Sequence, residues 1–168
     1  EALESFLKKA REKISLPIST DLYGFNAWYK KGKWNGQQID MFADYVDVIC
    51  PMFYPSHFPF RFMENPDLHE RAELIYREGA ERAEKIAGDR SVIRPYVQAF
   101  LVGQERKLKQ PEYSRYLDMQ IKGLYAAGSC GFTLWNASGS YYMVTESMAG
   151  FVKTVNGPEK FNGLTIYQ

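Results

Sequence analysis

The chain reads as an α/β protein built from parallel βα units, and three observations carry that reading. Short β-like runs recur four times, at Leu16 to Asp21, Val46 to His57, Val92 to Phe100 and Gly131 to Ser138. Between them lie segments with apolar residues at three- and four-residue spacing, so strands and helices alternate. The second run is almost wholly apolar from Val48 onward, the pattern of a parallel strand covered on both faces. A parallel βα array gathers the C-terminal ends of its strands on one face, where residues distant in sequence meet. Four such units are half of the eight in a closed (β/α) barrel.

The first segment, Ala2 to Ile14, sets Leu3, Phe6, Leu7, Ala10 and Ile14 on one helical stripe. Pro17 marks the approach to the first strand, which is expected to end at Asp21, with Gly24 opening an aromatic loop. A short helix is expected over Gln37 to Tyr45, then the second strand over Val46 to Tyr54. Pro51 inside that strand removes a ladder donor and predicts a bend or bulge near its C-terminal end. The strongest helix follows, with Asn65 as N-cap, Pro66 at the first helical position and Gly88 as its stop. Its stripe is Leu68, Ala72, Ile75, Gly79, Ala83 and Ile86. The third strand spans Val92 to Phe100. A helix from near Pro111 to Gly128 carries Tyr113, Leu117, Ile121 and Leu124 on one face. The last strand is Phe132 to Trp135, a further helix is expected over Val144 to Val155, and a β-like run covers Leu164 to Tyr167. No linker or second domain interrupts residues 1–168.

Composition narrows the function classes. The formal net charge is +1, and the basic stretches Lys30 to Lys33 and Arg106 to Lys109 are short and broken. Nucleic-acid binding needs a basic stripe or a known module, and neither is present. No apolar run is long enough to span a membrane. Cys50 and Cys130 read as small buried hydrophobes without metal-ligand spacing, and no metal or cofactor is expected. The chain opens on Glu1 within a helix, which reads as a piece of something longer. Twelve Tyr, eleven Phe and three Trp make it rich in aromatics. Those in turn-like stretches (Tyr23, Phe25, Trp28, Tyr29, Trp34, Phe58, Phe60, Tyr141, Tyr142) are the hardest to bury, because loops run over the surface.

Six residues at or just past the strand ends are candidates for chemistry. Asp21 is the candidate acid or base, with a turn cap as the other reading. Tyr54 and His57 sit in a run of two prolines, a serine and three aromatics, Tyr54 to Phe60, which would hold a rigid loop. His69 is expected on a helix surface. A Ser56/His57 nucleophile pair is disfavoured, since sequence neighbours rarely address one atom and no GxSxG elbow is present. Gln98 interrupts an apolar strand, so its amide needs a core partner or ligand hydroxyls. Trp135 and Asn136 pair an aromatic platform with a two-way hydrogen-bonding amide, a combination suited to carbohydrate.

The run VDVICPMFYPSHF resembles a bacterial glycosyl hydrolase domain family, a barrel related to the alpha-amylase superfamily. The family's pattern is close to D-x-I-S-P-M-x-Y-P-S-H-Y, matched by Asp47, Ile49, Pro51, Met52, Tyr54, Pro55, Ser56 and His57, with Cys50 and Phe58 as departures. STDLYG resembles its S-A-D-V-F-G, Arg94 to Phe100 its R-P-W-L-Q-A-F, and Gly131 to Ala137 its G-F-x-L-W-N-A. The resemblance implies strands five to eight of a (β/α)8 TIM-type barrel, with Asp21 as general acid and its partner carboxylate upstream of Glu1. It also implies a bacterial, extracytoplasmic protein acting on a poly- or oligosaccharide. The missing half would come from an N-terminal half-barrel or from self-association through open strand edges. Two other readings stay open: a carbohydrate-binding barrel without catalysis, and a barrel enzyme for a phosphorylated metabolite. The latter would use the loops Leu101 to Gln104 or Asn136 to Ser140.

Overall fold

A computed structural model describes residues 2–29, 36–65, 67–129, 131–146, 148, 159–161 and 164–166. The elements are helix α1 (Ala2–Lys13), strand β1 (Ser19–Tyr23), helix α2 (Ile39–Ala43), strand β2 (Val48–Met52) and helix α3 (Leu68–Ala87). Strands β3 (Val92–Ile93) and β4 (Tyr96–Gln98), helix α4 (Glu112–Ala127) and strand β5 (Thr133–Trp135) follow. β1 to β5 form one parallel sheet in the order β1-β2-β4-β5, with β3 also beside β2. The fold is α/β with parallel βα units, as expected. Where one β-like run was expected near the C-terminus, β6 (Glu159–Phe161) and β7 (Leu164–Ile166) form an antiparallel pair. Cys130, Lys30 to Lys33, Trp34 and most of the helix expected over Val144 to Val155 lie outside the described residues.

Strand order follows chain order. A doubly wound sheet reverses direction partway, whereas here each unit is laid beside the last. Right-handed crossovers then put the described helices that join the strands, α2, α3 and α4, on one face. Burial alternates accordingly. Leu22, Ile49 and Val97 are fully buried on the helix side, while Asp21, Tyr23 and Trp135 are exposed on the other. A one-sided sheet wound in a single sense is consistent with half of a (β/α)8 barrel.

Asp47 fixes where β1 begins. Its Oδ2 accepts from the Ile18 N–H (2.7 Å) and from Arg11 Nη1 (2.7 Å), which ties α1 to the strand. Pairing then runs from Ser19↔Val48 to Tyr23↔Met52. The strand therefore continues two residues beyond Asp21, which is a mid-strand residue rather than the last one. Gly24 explains the extension, because a Cβ there would lie 2.5 Å from the Met52 carbonyl oxygen. Only glycine lets the chain stay against β2 that far.

The expected third strand is two pieces. β3 pairs with β2 at Val48↔Val92 and Ile49↔Ile93, and β4 resumes at Met52↔Tyr96. Pro51 and Pro95 occupy the interval, and neither has an N–H for the ladder. Pairing of β1 with β2 passes Pro51 without a break, so the proline's effect falls on the β3/β4 side alone.

The N-cap of α3 is Asp67 rather than Asn65. Asp67 Oδ1 accepts from the His69 N–H (2.8 Å), and Asn65 instead accepts from the Asp67 N–H (2.9 Å). Pro66 lies outside the described residues. His69 is buried, contrary to expectation, with Nε2 3.0 Å from the Glu112 carbonyl, so it fastens the start of α3 to the start of α4. The expected α1 stripe is only partly used: Leu7 is buried, but Phe6 and Ile14 are exposed. The core lies between sheet and helices, around Phe53, Ile75, Tyr76, Tyr116, Leu117 and Leu124.

Helices α3 and α4 meet backbone to backbone at Gly123. A Cβ there would fall 2.4 Å from the Glu73 carbonyl oxygen and 3.1 Å from the Arg77 nitrogen, both backbone atoms that cannot swing aside. Gly123→Ala should force the helices apart and cost about 1–3 kcal/mol in urea denaturation. A loss below about 0.5 kcal/mol would show that the two helices do not meet here.

Candidate active site

Alternate strand residues project to the side without helices. On β1 these are Ser19, Asp21 and Tyr23, in register with Val48, Cys50 and Met52 on β2. Arg94 comes next to Cys50, since its N–H bonds to the Ile49 carbonyl, and Tyr96 pairs with both Met52 and Thr133. Gln98 and Trp135 are partners one step farther along. Cross-strand neighbours on one face interact directly, so a carboxylate, a thiol, a guanidinium, phenols and an indole share this surface.

Their electrostatics agree with the register. Burial, and after it the Asp21 carboxylate, pushes the Cys50 thiol up to about 11, with Arg94 pulling the other way. The Tyr54 phenol is raised by burial, then by Tyr96 and Asp21. Tyr96 is raised by burial, Asp21 and Cys50. At neutral pH these neighbours of Asp21 are therefore neutral hydrogen-bond donors. Cys50, buried and protonated, is not a reactive nucleophile.

The loop after β2 carries Tyr54 and His57, and a buried arginine holds it. Arg71 of α3 is 4 % exposed; it donates from Nη1 to the Pro55 carbonyl (3.1 Å), from Nη2 to Pro59 (3.0 Å) and from Nε to Phe62 (3.2 Å). The Pro55 and Pro59 carbonyls also close turns within the loop, accepting from the Phe58 N–H (3.3 Å) and the Phe62 N–H (2.8 Å), so the guanidinium ties those turns and the Phe62 carbonyl to α3. Phe25, Trp28, Phe58 and Phe62 form an aromatic cluster beneath this loop, with Phe58 stacked on Phe62 at 4.7 Å. Arg71 was not among the residues singled out from the sequence. The signal was available, since it stands three residues after Leu68 and four before Ile75, on the buried stripe.

Gln98 is completely buried, and its amide is committed to core partners. Oε1 accepts from the Ser56 N–H (3.3 Å) and the Ser56 hydroxyl (2.9 Å), while Nε2 donates to the Phe100 carbonyl (2.9 Å). His57 is exposed, with Nδ1 2.9 Å from Ser56 Oγ and its ring against Tyr54 (5.4 Å) and Phe100 (6.1 Å). Asn136 is also fully engaged. It donates to the Ala99 (2.6 Å) and Ser140 (2.8 Å) carbonyls and accepts from the Ser138 N–H and hydroxyl, which folds the loop after β5. Trp135 is 45 % exposed, and its ring lies 6.0 Å from Tyr96. Asp21, His57 and Trp135 thus expose their side chains on or beside the open face, while Tyr54, Gln98 and Asn136 are buried behind it as supports.

Among the described residues no group of three His, Cys, Asp or Glu is placed to hold a metal, and no helix is long and apolar enough to cross a membrane. A separate cleft of about 580 Å³ lies in the helix layer, lined by Trp28, Gln38, Asp40, Arg82 and Lys85 among others. It shares no residue with the open face.

The protein is an α/β fold whose parallel sheet carries a row of polar and aromatic side chains on its uncovered face. Over residues 1–141 it matches the family described as "Putative glycosyl hydrolase domain", and it belongs to that family. No curated protein and no solved structure matches the chain.

Replacing Arg71 with methionine keeps much of its volume and removes its donors. Arg71→Met should cost about 3 kcal/mol of stability and speed amide hydrogen exchange through residues 55–62. A loss under about 1 kcal/mol with unchanged exchange would mean that the loop holds its shape unaided.

Proposed function

We propose that this chain supplies the acid side of a glycoside hydrolase site, acting on O-glycosidic bonds of a poly- or oligosaccharide. The observation that carries this reading is Asp21. Among the described strand residues it is the one carboxylate on the uncovered face, and aromatic rings and neutral donors surround it. Glycosidases need two carboxyl groups flanking the scissile bond, one to protonate the departing oxygen and one to attack or to activate water. In this proposal Asp21 is the proton donor. The partner carboxylate comes from a strand beyond those described, in an N-terminal half-barrel or a second copy joined at an open edge of β1 or β5. Site of action outside the cytoplasm, where such glycans lie, fits the same reading.

The remaining candidates divide the labour of binding. The Trp135 indole stacks on an apolar sugar face and His57 engages ring hydroxyls, with the buried Tyr54 ring packed against the imidazole. Gln98 and Asn136, whose amides already have protein partners, hold the loops that carry these contacts. That Asp21 is the one carboxylate among the described strand residues of the uncovered face also favours a second reading, a carbohydrate-binding barrel that cuts nothing.

Kinetics of the full-length protein on aryl glycosides and oligosaccharides separate the two. Asp21→Asn should lower kcat by about 10²–10⁴-fold with little change in KM, the effect of losing a general acid. Trp135→Ala should instead weaken glycan binding roughly ten-fold. Unchanged turnover in Asp21→Asn would remove Asp21 as the acid. Glycan binding without any turnover in the wild type would favour the non-catalytic reading.

A further inference from the structure

The hydrogen bonds around Gln98 determine which nitrogen of His57 carries its proton. Neither end of the Gln98 amide is free to exchange places. The Ser56 N–H can only donate, so the atom it meets is the amide oxygen; the Phe100 carbonyl can only accept, so the atom it meets is the amide nitrogen. The Ser56 hydroxyl lies 2.9 Å from that same amide oxygen, which can only accept, so serine spends its one proton there. Its oxygen then faces His57 Nδ1 at 2.9 Å with lone pairs only. Nδ1 must be the donor, and in the neutral ring Nε2 must be bare.

We infer that Ser56 and Gln98 are positioning residues that lock His57 as the Nδ1–H tautomer and present Nε2 to the ligand as a hydrogen-bond acceptor. The inference rests on the carbohydrate reading of the face and makes it more specific. A bare Nε2 takes a hydrogen bond from a hydroxyl, as a neutral sugar offers. It cannot donate to the oxygens of a carboxylate or phosphate, so the loop selects against anionic groups at this point while the ring is neutral. The relay is buried at its root, where Gln98 has no exposure, and open at its tip, where His57 is exposed. Rings of Tyr54 and Phe100 restrict how His57 can turn. Ser56 and His57 thus work together without forming a nucleophile pair, since the serine proton points away from the imidazole.

Long-range ¹H–¹⁵N spectra of the imidazoles in the full-length protein test this directly, above the pH at which His57 is protonated. His57→Gln assigns the His57 signals by their disappearance. Wild type should show Nδ1 protonated and Nε2 bare. Ser56→Ala should lower the Nδ1–H to Nε2–H ratio about five-fold, the worth of one hydrogen bond. An Nε2–H ring in the wild type would overturn the inference, as would a Ser56→Ala spectrum with the tautomer ratio unchanged. The wild-type spectrum decides even if the variant fails to fold. Because the readout needs no substrate, the locked tautomer could be found in a protein that binds no glycan, which would sink the proposed function alone. An Nε2–H ring in a protein that cleaves glycans would sink only this inference.

Discussion

Strand β4 loses its neighbour at Met52, and the repair of that loss organises the molecule. β2 pairs with β4 at Met52↔Tyr96 and then turns away, leaving the Gln98 peptide without a strand partner on that side. An unpaired buried peptide group costs about 1–3 kcal/mol. Helix residues fill the gap: the Gln98 N–H donates to Tyr76 Oη and Gln120 Oε1, both at 3.0 Å, and its carbonyl accepts from Gln120 Nε2 at 3.2 Å. Tyr76 also donates to the Tyr96 carbonyl. One residue thereby joins α3, α4, β4 and, through its side chain, the loop after β2. Buried polar networks of this kind specify a unique arrangement because any half-satisfied alternative is expensive.

The departure of β2 also shapes the candidate site. Because the chain leaves the sheet after Met52, Tyr54 and His57 rise at the strand ends instead of continuing the ladder. Arg71 then holds the departing loop from below, and Gln98 holds it from the side. With the described helices that join the strands on one face, the opposite face keeps Asp21, Arg94, Tyr96 and Trp135 accessible or partly so. The energetics of the fold and the chemistry of the face share a cause, since helix-side burial stabilises the sheet and leaves the polar row across it as the candidate site.

Much of this was legible in the sequence. Alternation of β-like runs with helical stripes gave the parallel sheet, and Gly88 and Gly128 stop α3 and α4 where expected. What escaped was set by tertiary contact. Asp21 lies inside its strand because Gly24 can tuck beneath the Met52 carbonyl, a fact of packing that local propensity does not contain. His69 looks like a surface residue in a helical pattern, yet the crossing of α3 and α4 buries it. The Gln98 amide had to be satisfied somewhere, but whether by core or ligand depended on where Ser56 would be folded to. Arg71 was a charge on an apolar stripe, and its reason is a loop that the stripe does not reveal.

In the proposed function a glycan binds along the uncovered face of the sheet, organised through Gln98. A crystal structure of the full-length protein with a bound oligosaccharide tests it most directly. A sugar ring is expected between Asp21 and His57, with the Trp135 indole against its face and a hydroxyl directed at His57 Nε2. Sugar bound instead in the helix-layer cleft beside Trp28 and Arg82, with the open face of the sheet untouched, would contradict it.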